Sequence, residues 1–287
     1  MLNLILTWQN NVSLVSLELD YHSRDVCSSL EEFYQLLSSN SQLEILKICG
    51  SGPIKSDPDD NVTLAHYFCQ SIHFPSLKNV TLRYRDISKC QTILELLDAP
   101  NTWRLHLKDK SYKAEPERQD TSPILSFLAT GEFNDVKQKT PSACMAFSRL
   151  TSLSLSSVNT GMCLFNAFLN SVKNLQDLTL NSMNLDEVLC SLLPSDLNTS
   201  SNSILCPCPH LNKATLINVC PSCGLQYYSS LTNIDRRRQE YGSVPLQCKV
   251  REIVLKCDNE DIDMDFELDE GSEFLSSFLF YYINNLV

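Results

Sequence analysis

Glycine is scarce in this chain, with 7 in 287 residues. Loops that cradle phosphates need several glycines close together, so that backbone N–H groups can approach the anion. No such cluster occurs, and that class of nucleotide site is excluded. Long apolar runs are lacking as well. None reaches the ~18–20 residues of a spanning helix, and the nearest, 274–287, is shorter and holds Ser and Asn. The start, "MLNLILTWQ", has no basic opening, long apolar core or small-residue cleavage site, so no signal peptide is expected. Positive charge is in deficit: 23 Lys and Arg stand against 34 Asp and Glu, for a formal net charge of −11. Such a balance opposes general affinity for nucleic acid or anionic lipid. Catalytic patterns are missing too. The five histidines are scattered, with no H-E-x-x-H, no nucleophile elbow and no acid pair in a glycine-rich setting. No cofactor is expected.

Cysteine, by contrast, is plentiful, with 13 residues. Cys69, Cys163 and Cys190 sit inside apolar helical stretches, where a thiol behaves as a small hydrophobe. Free thiols and no leader point to a reducing compartment, cytoplasmic or nuclear. Four N-x-S/T sequons, at Asn11, Asn61, Asn79 and Asn198, carry little weight in a chain this rich in Asn, Ser and Thr.

A spacing recurs along the chain. Leu150, Leu153 and Leu155 occupy places one, four and six of a unit, and Leu175, Leu178 and Leu180 repeat it. The same three places hold Leu14, Leu17 and Leu19; Leu43, Leu46 and Ile48; Leu77, Val80 and Leu82; and Leu211, Ala214 and Leu216. Thr102, Leu105 and Leu107 form a degenerate copy, and Val250, Ile253 and Leu255 read as the eighth. Places four and six alternate as a short strand does, apolar inward and polar outward. A helix-like stretch follows most copies: 28–39, 64–72, 91–99, 122–130, 162–172, 185–193 and 225–241, with 272–286 as a closing, capping helix.

Strand and helix alternating at this pace imply right-handed crossovers and a parallel sheet. The predicted fold is α/β: a leucine-rich-repeat solenoid, a curved horseshoe with parallel strands on its concave face and helices on its convex face. One domain, 1–287, of about eight irregular repeats is expected, since the polar insertions 50–61, 108–122 and 193–209 are too short for a second. The alternative is a doubly wound α/β enzyme, whose strands are usually continuous apolar runs covered on both faces.

Two clusters invite other readings. Cys206, Cys208, His210, Cys220 and Cys223 fall within 18 residues and could hold zinc. Cys206 and Cys208 are one residue apart where structural sites prefer two to four, so thiols around a repeat strand are the preferred reading and no metal is assigned. The acidic segment 258–273 has calcium-ligand spacing from Asp261, yet Phe266 and Ser272 replace the turn glycine and closing Glu. Its acids alternate with Ile262, Met264, Phe266 and Leu268, as in an edge strand that blocks end-to-end pairing. The run Arg236–Arg238 suits a helix C-terminus.

The uneven units and the segment "HLNKATLINVCPSCGLQYYSSLTNIDRRRQEYGSVPLQCKVREIVLKC" (210–257) resemble the leucine-rich-repeat region of fungal F-box proteins. In those, a strand ending in cysteine is often followed by a helix closing in an arginine pair, a linker and another strand. Here Val158, Met183 and Val219 replace the asparagine expected at place nine. No F-box is expected ahead of the array, since its first copy starts by residue 14. The resemblance therefore implies the recognition half of a ubiquitin-ligase adaptor, without the ligase-docking half.

Places three, five and seven of each copy should face the concave side. On neighbouring strands they gather Lys47, Arg83, Arg104 and Lys108, with Thr81, His106, Ser154 and Thr179 around them. Strands ~5 Å apart put three consecutive charges within about one Debye length. These eight residues are the expected partner-binding surface of a monomeric, non-catalytic protein-recognition module, with an acidic or phosphorylated protein segment as partner. In the eighth copy the outward residues would be Glu252, Val254 and Lys256.

Overall fold

A computed structural model describes residues 3–8, 14–20, 29–50, 52–53, 71–111, 119–130, 147, 149–194, 206–219 and 223–252. In chain order the elements are β1 (Asn3–Trp8), β2 (Leu14–Asp20), α1 (Leu30–Ser38), β3 (Ile45–Cys49), β4 (Ile72–His73) and β5 (Asn79–Tyr84). Then come α2 (Ile87–Leu96), β6 (Leu97–Asp98), β7 (Arg104–Asp109), α3 (Ser122–Thr130), β8 (Ser152–Ser156) and α4 (Met162–Ser171). The last are β9 (Asp177–Asn181), α5 (Leu185–Cys190), β10 (Lys213–Val219), α6 (Gly224–Glu240) and β11 (Gln247–Glu252).

The fold is α/β. Nine strands form one sheet in the order β1-β2-β3-β5-β7-β8-β9-β10-β11. All pair in parallel except β1, which runs antiparallel to β2 at the edge. The order follows the chain without reversal, and β4 and β6 form a separate two-stranded parallel pair.

Six units are built the same way. A turn closes with the N–H of the place-one residue donating three residues back: Leu43 to Asn40, Leu77 to Phe74, Thr102 to Ala99, Leu150 to Phe147, Leu175 to Val172 and Leu211 to Cys208. One residue later a carbonyl ladder begins. The place-two carbonyl accepts from the next unit in turn: Glu44 from Lys78, Lys78 from Trp103, Trp103 from Thr151, Thr151 from Gln176 and Gln176 from Asn212. Places four and six then stack strand on strand, Leu17–Leu46–Val80–Leu105–Leu153–Leu178–Ala214 and Leu19–Ile48–Leu82–Leu107–Leu155–Leu180–Leu216. All are buried and join one hydrophobic cluster with Phe33, Ile93, Leu125, Phe168, Leu189 and Leu231 from the helices. At place eight the backbone is left-handed in four units, at Gly50 (φ 64°), Ser157 (56°), Ser182 (52°) and Asn218 (56°). That bend turns the chain off the sheet toward the helix layer. Thr102, at place one of the degenerate copy, is fully buried, and its hydroxyl donates to the Leu77 carbonyl. That bond satisfies the polar group where the other units place leucine.

Several expectations change. The eighth strand is β11, and its register aligns Cys248 with Ala214 and Val250 with Leu216. Val250 therefore holds place six instead of place one, and the unit is displaced by five residues from the expected one. The anchors are local: the Leu246 N–H donates to Asp235 Oδ1 and the Gln247 N–H to the Asn212 carbonyl. They start the strand earlier than apolar spacing alone suggests. Lys249 and Arg251 thus stand opposite Thr215 and Ile217, replacing the expected Glu252, Val254 and Lys256. The expected 91–99 helix runs over 87–96, capped by Asp86, whose side chain accepts from the Ser88 N–H. Helix α5 ends at Cys190, earlier than expected. Helix α1 starts with a capping box in which Ser29 and Glu32 accept reciprocally. The helix expected over 64–72 lies outside the described residues except at its end, where Ile72 enters β4. The acidic segment and the capping helix fall wholly outside them. Among the described residues no helix is long and apolar enough to cross a membrane.

Candidate partner-binding face

One face of the main sheet carries the stacked apolar rows. The other carries three polar rows, and strand register sets their order. Place three runs Ser16, Ile45, Asn79, Arg104, Ser152, Asp177, Lys213 and Gln247. Place five runs Glu18, Lys47, Thr81, His106, Ser154, Thr179, Thr215 and Lys249. Place seven runs Asp20, Cys49, Arg83, Lys108, Ser156, Asn181, Ile217 and Arg251. All eight expected site residues thus lie in these rows, on strands β3, β5, β7, β8 and β9.

The charges separate along the face. Glu18 and Asp20 stand on β2, and Asp177 on β9, whereas the three outward places of β3, β5 and β7 hold no carboxylate. Lys47 reaches back to Glu18 at 3.3 Å, in an exposed pair of the kind that contributes ~0–1 kcal/mol. Arg83 lies directly opposite Lys108, and Thr81 opposite His106. Like charges paired across neighbouring strands are destabilising. Arg104 is exposed, with its guanidinium over the ring of Trp103 at 4.8 Å.

Several polar atoms here are shielded from water and have no hydrogen-bond partner: Arg83 Nε, His106 Nε2, Asn79 Oδ1 and Asp20 Oδ1. Buried polar atoms are usually paired. His106 is held down to about 4, first by burial and then by the Arg83 and Lys108 charges. At neutral pH its ring is uncharged and offers one N–H and one lone pair. Burial also pushes the Cys49 thiol up, with Arg83 and Lys47 working against it, so Cys49 lines the face as a protonated thiol. Ser154 and Thr179 extend the middle row as small hydroxyls beside the basic strands.

Two described members of the cysteine cluster make other contacts. Cys208 is fully buried at the turn position that Phe74, Ala99, Phe147 and Val172 fill elsewhere, and its Sγ donates to the Leu169 carbonyl. Burial pushes its thiol up to about 12. Cys206 Sγ accepts from Ser243 Oγ. Among the described residues no group of His, Cys, Asp and Glu is placed to hold a metal ion, and Cys220 lies outside them. A cavity of about 390 Å³ lies where α3 and α4 begin, lined by Asp120, Ser122, Asn159, Thr160 and Asn184 among others. Its one titratable side chain, Asp120, already caps the Ser122 N–H.

Two residues escaped the sequence reading. Trp103, 38% exposed, precedes an outward arginine, and an aromatic beside a basic strand position is the signal that marks it. Arg238 is fully buried, with Nη1 and Nη2 donating to the Pro207 and Cys208 carbonyls at 2.6 and 2.7 Å. It is a structural clamp, beyond the helix-dipole role expected of the arginine run. Its neighbours Arg236 and Arg237 are the solvent-facing pair. No family model, curated protein or solved structure matches the chain.

Proposed function

We propose that this chain is a non-catalytic protein-recognition module built as a leucine-rich-repeat solenoid, binding an acidic or phosphorylated protein segment on its open sheet face. The observation that carries the reading is the carboxylate-free basic block on β3, β5 and β7 in a chain of net charge −11. Unpaired shielded atoms on Arg83 and His106 add to it, because a partner that completes their hydrogen bonds gains affinity and specificity together. Exposed Trp103 and Arg104 are the residue types that dominate interface energetics.

Support for the solenoid comes from strands ordered as in the chain, one apolar face shared with the described helices, and the turn and ladder repeated in six units. Strands pack ~4.8 Å apart and helices ~8–10 Å apart, so a helix layer on one side alone curves the sheet with its strands on the concave side. The doubly wound alternative needs a reversal in strand order, where a crevice opens beyond the strand ends. The resemblance to fungal F-box proteins points to a ubiquitin-ligase substrate as the bound partner.

The test is comparative capture. The native chain and an Arg83→Glu/Arg104→Glu variant are used as baits, with thermal unfolding of both. Loss of the main captured partner with an unchanged unfolding temperature supports the reading. Equal capture by both baits rejects it.

A further inference from the structure

The place-seven row of the open face starts with Asp20 on β2, Cys49 on β3 and Arg83 on β5, each opposite the next in register. Asp20 and Arg83 are half-buried, and Asp20 Oδ1 and Arg83 Nε are shielded from water with no hydrogen-bond partner. The place-five row differs. There acid and base stand on adjacent strands, and Lys47 closes on Glu18 at 3.3 Å. At place seven a thiol adds a second strand step, so their backbones lie ~9.6 Å apart. Cys49 is 2% exposed, and burial above all pushes its thiol up, so the floor between the two charges is short and neutral. The result is a notch with an unmet acceptor at one end and an unmet donor at the other.

We propose that this notch takes an amide group of the bound segment, its N–H donating to Asp20 and its C=O accepting from Arg83. The inference rests on the recognition reading above and adds a neutral determinant to it. An amide carries a donor and an acceptor on opposite sides of one planar, uncharged unit. Two hydrogen bonds of ~2.9 Å in line with it span roughly 8 Å, and side-chain lean takes up the rest of the two strand steps. The other common groups fail at one end. A carboxylate has no N–H and meets Asp20 charge on charge, and an ammonium has no acceptor and meets Arg83 likewise. A hydroxyl does both through a single oxygen, so it spans only about 6 Å. An apolar group covering the notch leaves both shielded atoms unmet, at the cost of their desolvation. The Nη donors of Arg83 remain for an acidic neighbour, so the amide and the acid do not compete. Two sources present the group: an Asn or Gln side chain, and the main chain.

The experiment applies the full chain to an array of alanine- and serine-based peptides, each with a central glutamate or alanine. One further position, two to four residues to either side, carries Gln, Asn, Glu, Lys or Leu. The best Gln or Asn peptide should bind at least fivefold more strongly than its Leu, Glu and Lys counterparts. Asp20→Ala and Cys49→Leu, the second filling the notch, should remove that preference while dependence on the central glutamate persists. A native unfolding temperature for each variant excludes misfolding. Main-chain occupancy gives a different result that also supports the notch: no side-chain preference, but binding lost on N-methylation of one peptide bond in the native chain and not in Asp20→Ala. Glutamate-dependent binding indifferent to both changes overturns the notch and leaves the acid-binding face standing. Amide preference without glutamate dependence supports the notch and rejects the acidic partner. Binding of no peptide overturns both.

Discussion

Arg238 Nη1 and Nη2 hold two backbone carbonyls in the turn before β10, and the side chain has no exposure to solvent. Removing it takes the charged donor from both buried carbonyls, of which only that of Cys208 keeps a backbone partner, the Leu211 N–H, and it opens a cavity, at a cost of about 3–5 kcal/mol. Arg238→Ala should therefore lower the urea midpoint sharply, and Arg238→Lys, which cannot span both carbonyls, should recover only part of the loss. His106 makes a residue-scale prediction of opposite character. Its folded value, about 4, lies below the ordinary 6.5 because burial first, and then Arg83 and Lys108, disfavour the charged ring. Between those values the unfolded chain binds more protons, so stability rises with pH across the window and is lost as pH falls from 6.5 toward 4. At pH 5 the penalty is on the order of 1–2 kcal/mol. The drop in unfolding free energy between pH 7 and pH 5 should be smaller by that amount in His106→Gln than in the native chain.

At the level of the element, the repeating unit was legible where spacing alone decides pairing. Leu153 and Leu178 are two of many residues that fall in register as their intervals require. Place eight was not legible, because Gly50, Ser157, Ser182 and Asn218 share a left-handed backbone without sharing a residue type. Left-handed backbone costs ordinary L-residues ~1 kcal/mol and β-branched ones more. Ser157→Val should thus destabilise by about 1–2 kcal/mol in thermal unfolding, while Ser157→Gly should match or exceed the native chain. The eighth strand misled for another reason. Val250, Ile253 and Leu255 imitate the spacing, but register there is decided by Asp235 and Asn212, whose hydrogen bonds to Leu246 and Gln247 leave no trace in apolar periodicity. Cys208 is the instructive opposite. Its place three residues before Leu211 matches Phe147 before Leu150 and Val172 before Leu175, so the repeat frame itself marks that thiol as core. The basic block was legible too, since face and order follow from period two alone, but the shielding of Arg83 and His106 depends on neighbours that spacing does not reveal.

At the scale of the whole molecule, the sheet is a sequence of nearest-neighbour contacts. Each strand from β3 to β10 touches only the strand of the unit before and the unit after, because the sheet order follows the chain. In the repeat reading, stability is then approximately a sum of unit and interface terms, and damage stays local. A doubly wound domain of this size would instead share one core and lose protection throughout. Leu17 on β2 is fully buried at the N-terminal end, where β1 covers the sheet edge. Truncating such a leucine costs about 2–5 kcal/mol. Leu17→Ala should accordingly speed amide exchange in β2 and β3 while leaving the Gln176 and Asn212 amides, four or more strands away, at native rates. Hydrogen exchange read by mass spectrometry resolves the two ends of the sheet. Uniform acceleration from β2 to β10 would show a single cooperative core and reject the solenoid. Acceleration confined to the mutated end is what a quasi-one-dimensional array requires, and it would leave the basic block on β5 and β7 bordering the disturbed region with its partner affinity reduced in proportion to the protection lost there.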